Sequence, residues 1–430
     1  MKPQFYEDRA ACAATAANLK SAAAQERLSR NASGLRGRSA AMVVFSQYPS
    51  DPRPRRAAEA LVEEGMSVDL LCEGSLDCKA QEPTGKLNIT RIPVRHNRGG
   101  LLSYAWEYAA FILCSTIILA WRALRKRYDL IYVHNMPDIL IVSALIPRFL
   151  GAKIVLDQHD PMPELLMTIF NKRANSGAVR FIRALETWSL NQADRVITVN
   201  NACKKLFSSR GCPEEKIRIV MNSPDEKLIS FRAARSYSRF QGDRRFVIMY
   251  HGSLVERNGL DLAVAAVARL RQTIPSIELR IYGRCTSYLQ RVMERAEAMK
   301  LLEHVRYLGG RSLEQLAIEI QSCDVGVIPN QRNEFTDINT PTRIFEYLAL
   351  GKPVVAPSTP GILDYFGPDE LIYFAPGDAL GLAHAIRWVA ENWSEAVANA
   401  ERGQQVYLRH RWQTERKTLV NSVREMLNQD

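Results

Sequence analysis

Residues 339–356 read NTPTRIFEYLALGKPVVA, and the reading of this stretch decides the fold. Thr340 suits an N-cap and Pro341 the first helical position, while Gly351 suits the helix end and Pro353 opens the next run. The stretch is therefore a short helix running into an apolar strand. Ile344, Phe345 and Leu348 take its buried side, which leaves Arg343 and Glu346, three positions apart, on the other face. One reading makes these two a surface ion pair worth about 0.2–0.5 kcal/mol. The other turns the face toward a ligand. Arg343 then stands in the first turn, where free N–H groups and the helix dipole favour a phosphate. Glu346, one turn further on, can accept two hydroxyl hydrogen bonds, as from a ribose. Spacing alone favours the ion pair.

The surrounding chain supplies the context. From residue 41 the runs AMVVFSQ, SVDLLCEG, DLIYVHN, KIVLDQH, RVITVN and IRIVMNS read as strands, with helical patterns such as PRRAAEALVEEG and DILIVSALIPRFLG between most of them. Near-continuous apolar strands separated by helices predict a parallel sheet covered on both faces. A second series follows with FVIMYHG, ELRIYG, VRYLGG, DVGVIPN and PVVA, and the chain closes in helical segments. The polar stretch from Asp225 to Arg245 reads as a linker. The expected organisation is α/β. A flexible or partly helical extension covers 1–40, an N-terminal domain 41–225, a C-terminal domain 226–410 and a final helix 411–430. Ligands in doubly wound sheets sit at the carboxyl ends of the strands, so two facing domains would place a site in the cleft between them.

Composition narrows the partners. A net charge of +11 over 430 residues implies anionic company. The basic residues are scattered, and no Cys/His module or basic-aromatic repeat goes with them, so nucleic acid is not expected. The eight cysteines are far apart; even Cys72 and Cys78 lack metal-ligand spacing, which fits reduced thiols in a cytosolic protein. The first 40 residues hold no apolar core for a signal peptide. The segment LLSYAWEYAAFILCSTIILAW (101–121) has 14 uncharged residues between Glu107 and Arg122, short of the roughly 20 of a spanning helix. Arg91, Arg95 and Arg98 precede it, and Arg122, Arg125, Lys126 and Arg127 follow. Two readings stay open: a buried helix of the first sheet, or an interfacial helix with its cations on anionic lipid.

Other candidate residues lie at strand ends. In MYHGSLVERNGLD (249–261) a strand ends in Gly252, a loop carries Arg257, and a helix starts near Gly259, an arrangement that brings backbone N–H groups and a charge to a phosphate. SQYPSDPRPRRAAEAL places Arg53, Arg55 and Arg56 after the first strand. VHNMPD (133–138) and LDQHDPMPE (156–164) put His134 and His159 where ligands bind in such sheets. A lone strand-end His is more often structural, bonded to a loop carbonyl. His159 is the better functional candidate, because Asp157 and Asp160 flank it and can orient it.

Together, DPRPRRAAEALVEEG, VHNMPD with LDQHDPMPE, MYHGSLVERNGLD and NTPTRIFEYLALGKPVVA resemble the family 4 retaining glycosyltransferases, from residue 41 to 428. The resemblance implies the GT-B fold: two Rossmann-like domains facing across a cleft, with the C-terminal helix, which includes Trp412, crossing back to the first domain. Carried over by position, Glu346 matches the glutamate on the nucleotide ribose, and Arg343 takes a place often held by lysine near the donor diphosphate. Gly252 and Ser253 match the diphosphate loop, Leu308 and Gly309 the turn beside the base, and His159 the histidine near the reacting centre. The implied catalytic set is His159, Arg257, Arg343 and Glu346. Asn339 and Thr340 complete the donor side, while Arg53, Arg55, His134 and Asp138 make the acceptor side. There are departures. A second, sugar-binding glutamate of many members is Ile338 here, with Asp337 beside it. The phosphate loop has Gly252-Ser253 and Asn258-Gly259 where the family carries Gly-Arg and Lys-Gly.

The resemblance implies transfer of a sugar from a UDP- or GDP-sugar to an acceptor hydroxyl with retention, without metal or other cofactor. The acceptor would be a lipid-linked saccharide or another saccharide of cell-surface polysaccharide synthesis. The enzyme would be cytoplasmic and peripheral, on an anionic membrane through 101–127. Two alternatives are a sugar-nucleotide 2-epimerase of the same fold and a non-catalytic membrane-associated assembly protein.

Overall fold

The computed structural model describes residues 34–74, 85–94, 101–234 and 245–428, with the backbone alone for 101–104. Most of the expected 1–40 extension, together with Arg95 and Arg98, lies outside the described residues. The chain divides into two compact units, one of 1–156, 193–195 and 419–430, the other of 157–192 and 196–418.

A seven-stranded sheet has the order β3-β2-β1-β4-β5-β6-β7. Its strands are β1 (Ser39–Val43), β2 (Ser67–Glu73), β3 (Leu87–Ile92), β4 (Leu130–His134), β5 (Lys153–Gln158), β6 (Arg195–Thr198) and β7 (Ile217–Ile219). β1 runs parallel to both β2 and β4, and β2 is parallel to β3, with Asp69 opposite Asn88. All five residues of β1 and of β4 are buried, as continuous apolar runs covered on both faces must be. β3 was not among the expected strands. It is an edge strand, and its LNITRI is half polar, so it lacks the continuous apolar signature of the central ones.

In the first unit, helix α1 (Pro52–Glu63) starts at Asp51, whose carboxylate accepts from Arg53 N at 3.3 Å. Helix α2 (Leu101–Ala123) packs beside the turn 138–144 and helix α3 (Leu145–Phe149). It buries Phe111, Ser115 and Leu119 on one side and exposes Trp106, Leu113, Ile117 and Trp121 on the other. The buried-helix reading holds for one face only: the helix is half core and half exposed apolar surface. Among the described residues, no helix is long and apolar enough to cross a membrane. Residues 419–427 of the last helix (Trp412–Leu427) belong to this unit as well, where Arg38 Nη1 donates to Leu427 O at 2.8 Å.

In the second unit a six-stranded sheet has the order β10-β9-β8-β11-β12-β13. The strands are β8 (Phe246–His251), β9 (Ile277–Tyr282), β10 (Val305–Tyr307), β11 (Val325–Val327), β12 (Val354–Pro357) and β13 (Ile372–Phe374), parallel in every pair. β13, a three-residue edge strand, was also missed in the sequence. Helix α4 (Met162–Phe170) packs on α6 (Glu334–Ile338); α5 (Leu260–Leu270) and α7 (Thr342–Ala349) cover the sheet. Residues 225–234, expected as linker, are packed here: Ile229 and Ala234 are buried, and Ala234 N donates to Gln404 Oε1 at 3.1 Å.

The quoted stretch folds as a helix running into β12, with one correction. The N-cap of α7 is Pro341, which offers no side-chain hydrogen bond. Thr340 instead donates its hydroxyl to Gly361 O at 2.6 Å and accepts from Asn200 Nδ2 at 3.0 Å. These two tertiary hydrogen bonds take the hydroxyl in place of the local cap. Gly351 stands just past the helix end at φ +70, as expected of a left-handed terminator.

Candidate active site

The site begins where β8 ends. Gly252 follows His251 at φ +117, a region that favours glycine, and a Cβ there would come within 3.4 Å of Arg343 Nη1. The loop returns through Gly259 (φ +64) into α5. A Cβ at Gly259 would stand 1.9 Å from the carbonyl oxygen of Pro329, so no other residue fits the turn. This close approach brings the loop against the segment after β11. Gln331 N donates to Arg257 O at 2.9 Å, and Gln331 Nε2 donates to Asp261 at 3.3 Å.

Arg343 is bound to both strand ends. Its Nη1 donates to His251 O at 2.9 Å and its Nη2 to Asn330 Oδ1 at 3.2 Å. The guanidinium also sits 4.6 Å above the Tyr250 ring, a cation–π distance. Two of its five N–H donors are thereby used to aim the fork, and three remain. On the same face, Glu346 Oε2 lies 3.3 Å from His251 Nε2. Burial first, and the Arg343 charge second, push the His251 imidazole down to about 3, so it is neutral near pH 7. Below them Tyr347 is fully buried; its hydroxyl donates to Met249 O at 2.8 Å, and His251 meets its ring edge-on at 5.1 Å. Arg343 is thus hydrogen-bonded to the end of β8 and Glu346 lies beside it against the His251 ring, which displaces the reading of the two as a surface ion pair.

Arg257 adds a second cation. Burial lowers its affinity for the proton, and the nearby Asp160 carboxylate opposes that shift. Asp160 follows His159 directly beyond β5, so the segment carrying this histidine bears electrostatically on the Arg257 loop. Helix α4, which comes next, is joined to α6 by Thr168 Oγ1 donating to Asn333 Oδ1 at 3.1 Å.

The other expected residues fall as follows. The Ser253 carbonyl accepts from Tyr250 OH at 2.8 Å and from Asn258 Nδ2 at 2.7 Å. Leu308 and Gly309 follow β10, and Gly309 O accepts from Gly283 N at 3.1 Å. Asn339 ends α6, and Thr340 is held as described above. Ile338, in the place of a second glutamate, gives its carbonyl to Asn200 Nδ2 at 2.8 Å, while the adjacent Asp337 lies 3.5 Å from Arg332. The second unit therefore gathers Gly252, Ser253, Arg257, Arg343 and Glu346 around the ends of β8 and β11.

The acceptor-side candidates belong to the first unit. Arg53 is buried in the first turn of α1, and Arg55 Nε lies 3.9 Å from Glu59 Oε1. The neighbouring Arg56 is buried and donates to Pro52 O at 3.1 Å. His134 is fully buried at the end of β4, its ring centroid 4.8 Å from that of Tyr132. Asp138 is buried and accepts from Asn135 Nδ2 at 3.1 Å.

Three residues escaped the sequence reading: Tyr250, His251 and Asn330. His251 carried a usable signal, since it ends a strand just as His134 and His159 do. Nothing local marks Asn330, whose role depends on β11 lying beside β8.

The chain matches known proteins on both halves. Residues 55–228 match the model of "Glycosyltransferase Family 4", and residues 234–406 that of "Glycosyl transferases group 1". Among curated relatives, a glycogen synthase of Mycobacterium tuberculosis is 27% identical over 236 residues, 54% of each chain. A phosphatidyl-myo-inositol mannosyltransferase of Propionibacterium freudenreichii is 27% identical over 244 residues, 56% of each. The chain thus aligns with about half the length of these relatives. Among solved structures, Anabaena Alr3699/HepE in complex with UDP-glucose superposes with a TM-score of 0.66 at 16% identity, covering 89% of this chain and 98% of that one. Likeness at that identity establishes the fold.

Proposed function

We propose that this chain, which belongs to the family 4 glycosyltransferases of the GT-B fold, transfers a sugar from a UDP- or GDP-sugar to an acceptor hydroxyl with retention at the anomeric carbon. The observation that carries this reading is the placing of Arg343, hydrogen-bonded to His251 O at the end of β8, on one helix face with Glu346, whose carboxylate lies 3.3 Å from the His251 ring. A carboxylate held beside a neutral imidazole can accept two ribose hydroxyls. An arginine fork in the first turn of a helix can take a diphosphate. The relative bound to UDP-glucose supports a nucleotide-sugar donor.

In this reaction the bond from C1 to the diphosphate oxygen breaks, and a bond from C1 to the acceptor oxygen forms on the same face. The acceptor proton passes to the leaving phosphate. Negative charge grows on that leaving group, where Arg343, Arg257, the N-terminus of α7 and the Gly252–Ser253 loop stand to stabilise it. These groups supply cationic stabilisation without a resident metal, and no carboxylate nucleophile is needed, unlike glycosidase chemistry. His159 is assigned to the donor sugar, and Arg53, Arg55, His134 and Asp138 to the acceptor side.

The acceptor is proposed to be a lipid-linked saccharide, with the protein peripheral on the cytoplasmic face of an anionic membrane. Two observations support this. The relative named for phosphatidyl-myo-inositol acts on a lipid by its name. The outer face of α2 is apolar from Trp106 to Trp121 and is followed by Arg122, Arg125, Lys126 and Arg127. Incubation with UDP- and GDP-sugars, with and without lipid-linked acceptor, tests the reading. Sugar transfer supports it; epimerised donor without transfer, or no donor binding, overturns it.

A further inference from the structure

At the C-terminal end of α2 the first unit holds a pocket of about 350 Å³, at the small end of ligand sites (roughly 300–1,000 Å³). It opens beside the amino-terminal parts of β2 and β3, where Asp69 and Asn88 face each other, at the opposite end of the sheet from His134. Trp121, Arg122, Arg125, Lys126 and Tyr128 complete its lining.

Its charges are arranged in two layers. Asp69 forms the floor. Tyr128 OH donates to Oδ2 at 2.5 Å, Asn88 Nδ2 to Oδ1 at 3.0 Å, and Lys126 Nζ lies 3.4 Å from Oδ2. Burial alone would raise the Asp69 pKa, but these hydrogen bonds and the Lys126 charge outweigh it and leave the carboxyl below its usual range. Its negative charge is therefore already committed inward. The walls carry Arg122 and Arg125. Arg122 gives one donor to Thr90 Oγ1 at 2.8 Å. Arg125 is stacked 3.7 Å from the Trp121 ring, which holds the guanidinium by its face and leaves its edge donors available. Three cations oppose one carboxylate and the roughly −0.5 charge of the helix C-terminus, so the pocket remains positive.

We propose that this pocket is a site for a phosphate group, and that the group is the phosphodiester of an anionic lipid whose chains lie against the outer face of α2. Trp121 belongs to both features: it walls the pocket and ends the exposed row of Leu113 and Ile117. A bilayer seated on that row would present its headgroups at the level of Arg122 and Arg125. Arg fits such a ligand better than Lys, because its planar fork matches two phosphate oxygens. The proposal rests on the membrane reading above only for the source of the phosphate.

The test uses the full chain with glycerophosphoglycerol, inorganic phosphate, and vesicles of phosphatidylcholine with or without phosphatidylglycerol. The probes are titrated against wild type, R122Q/R125Q and L113S/I117S. Wild type is expected to bind glycerophosphoglycerol saturably and to bind only the anionic vesicles. R122Q/R125Q should weaken vesicle binding by about 30-fold, from two cations acting at an anionic surface, and should weaken glycerophosphoglycerol binding as well, with unchanged UDP binding as the control for folding. L113S/I117S should lose vesicles and keep glycerophosphoglycerol. Anionic vesicles held equally well by R122Q/R125Q would overturn the pocket and leave the membrane reading standing. Soluble phosphodiester bound without any vesicle binding would overturn the lipid source alone. Phosphate bound as well as the diester would also exclude the lipid source.

Discussion

Nε2 of His251 lies 3.3 Å from Oε2 of Glu346, joining the last residue of β8 to the second turn of α7. The backbone of the same histidine accepts from Arg343. One buried residue therefore borders both the acid and the base on the ligand face. A neutral imidazole can do this without cancelling the Glu346 charge that a ribose would need.

The His251 imidazole is held at about 3 against an ordinary 6.5. The unfolded chain therefore takes up a proton between these values that the folded one refuses. Its contribution to stability is intact above pH 6.5 and is lost as the pH falls, at about 1.4 kcal/mol per pH unit. Urea unfolding at pH 7 and pH 5 should show a fall in midpoint for wild type and a smaller one for His251→Asn. Equal falls would mean that His251 protonates without penalty.

Arg343 acts through geometry as well as charge. Arg343→Ala is expected to lower kcat by about 10²–10³-fold, the usual effect of removing one donor to a developing negative charge. Arg343→Lys keeps the charge but cannot reach His251 O and Asn330 Oδ1 together, so it should fall between wild type and the alanine variant. Identical rates for lysine and alanine would show that charge contributes nothing.

Gly259→Ala tests the turn under the phosphate loop. With φ +64 and Pro329 O in the way, the variant should lose at least about 2 kcal/mol, seen as a fall in Tm of about 4 °C or more. An unchanged Tm would mean that the loop can move off the 329–331 segment at little cost.

The central strands were legible because burial on both faces makes them continuous apolar runs, as in β4 and β8. The edge strands β3 and β13 were not, since a short edge strand carries neither length nor a continuous apolar signature. Arg343 and Glu346 could be placed on one face from helical spacing, but spacing could not say what that face meets. Their attachment to His251 and Asn330 depends on which strands lie side by side, a property of the sheet rather than of any local pattern. Thr340 shows the same limit: local rules made it a cap, and tertiary contacts with Gly361 and Asn200 took its hydroxyl instead.

The most direct test of the account is titration of UDP and GDP into wild type and Glu346→Ala by calorimetry, with circular dichroism as the check on folding. Wild type is expected to bind one of the two nucleotides and Glu346→Ala to bind it about 10- to 150-fold more weakly, the loss of hydrogen bonds to a charged acceptor, with the fold intact. A folded Glu346→Ala that binds the nucleotide as tightly as wild type would contradict it.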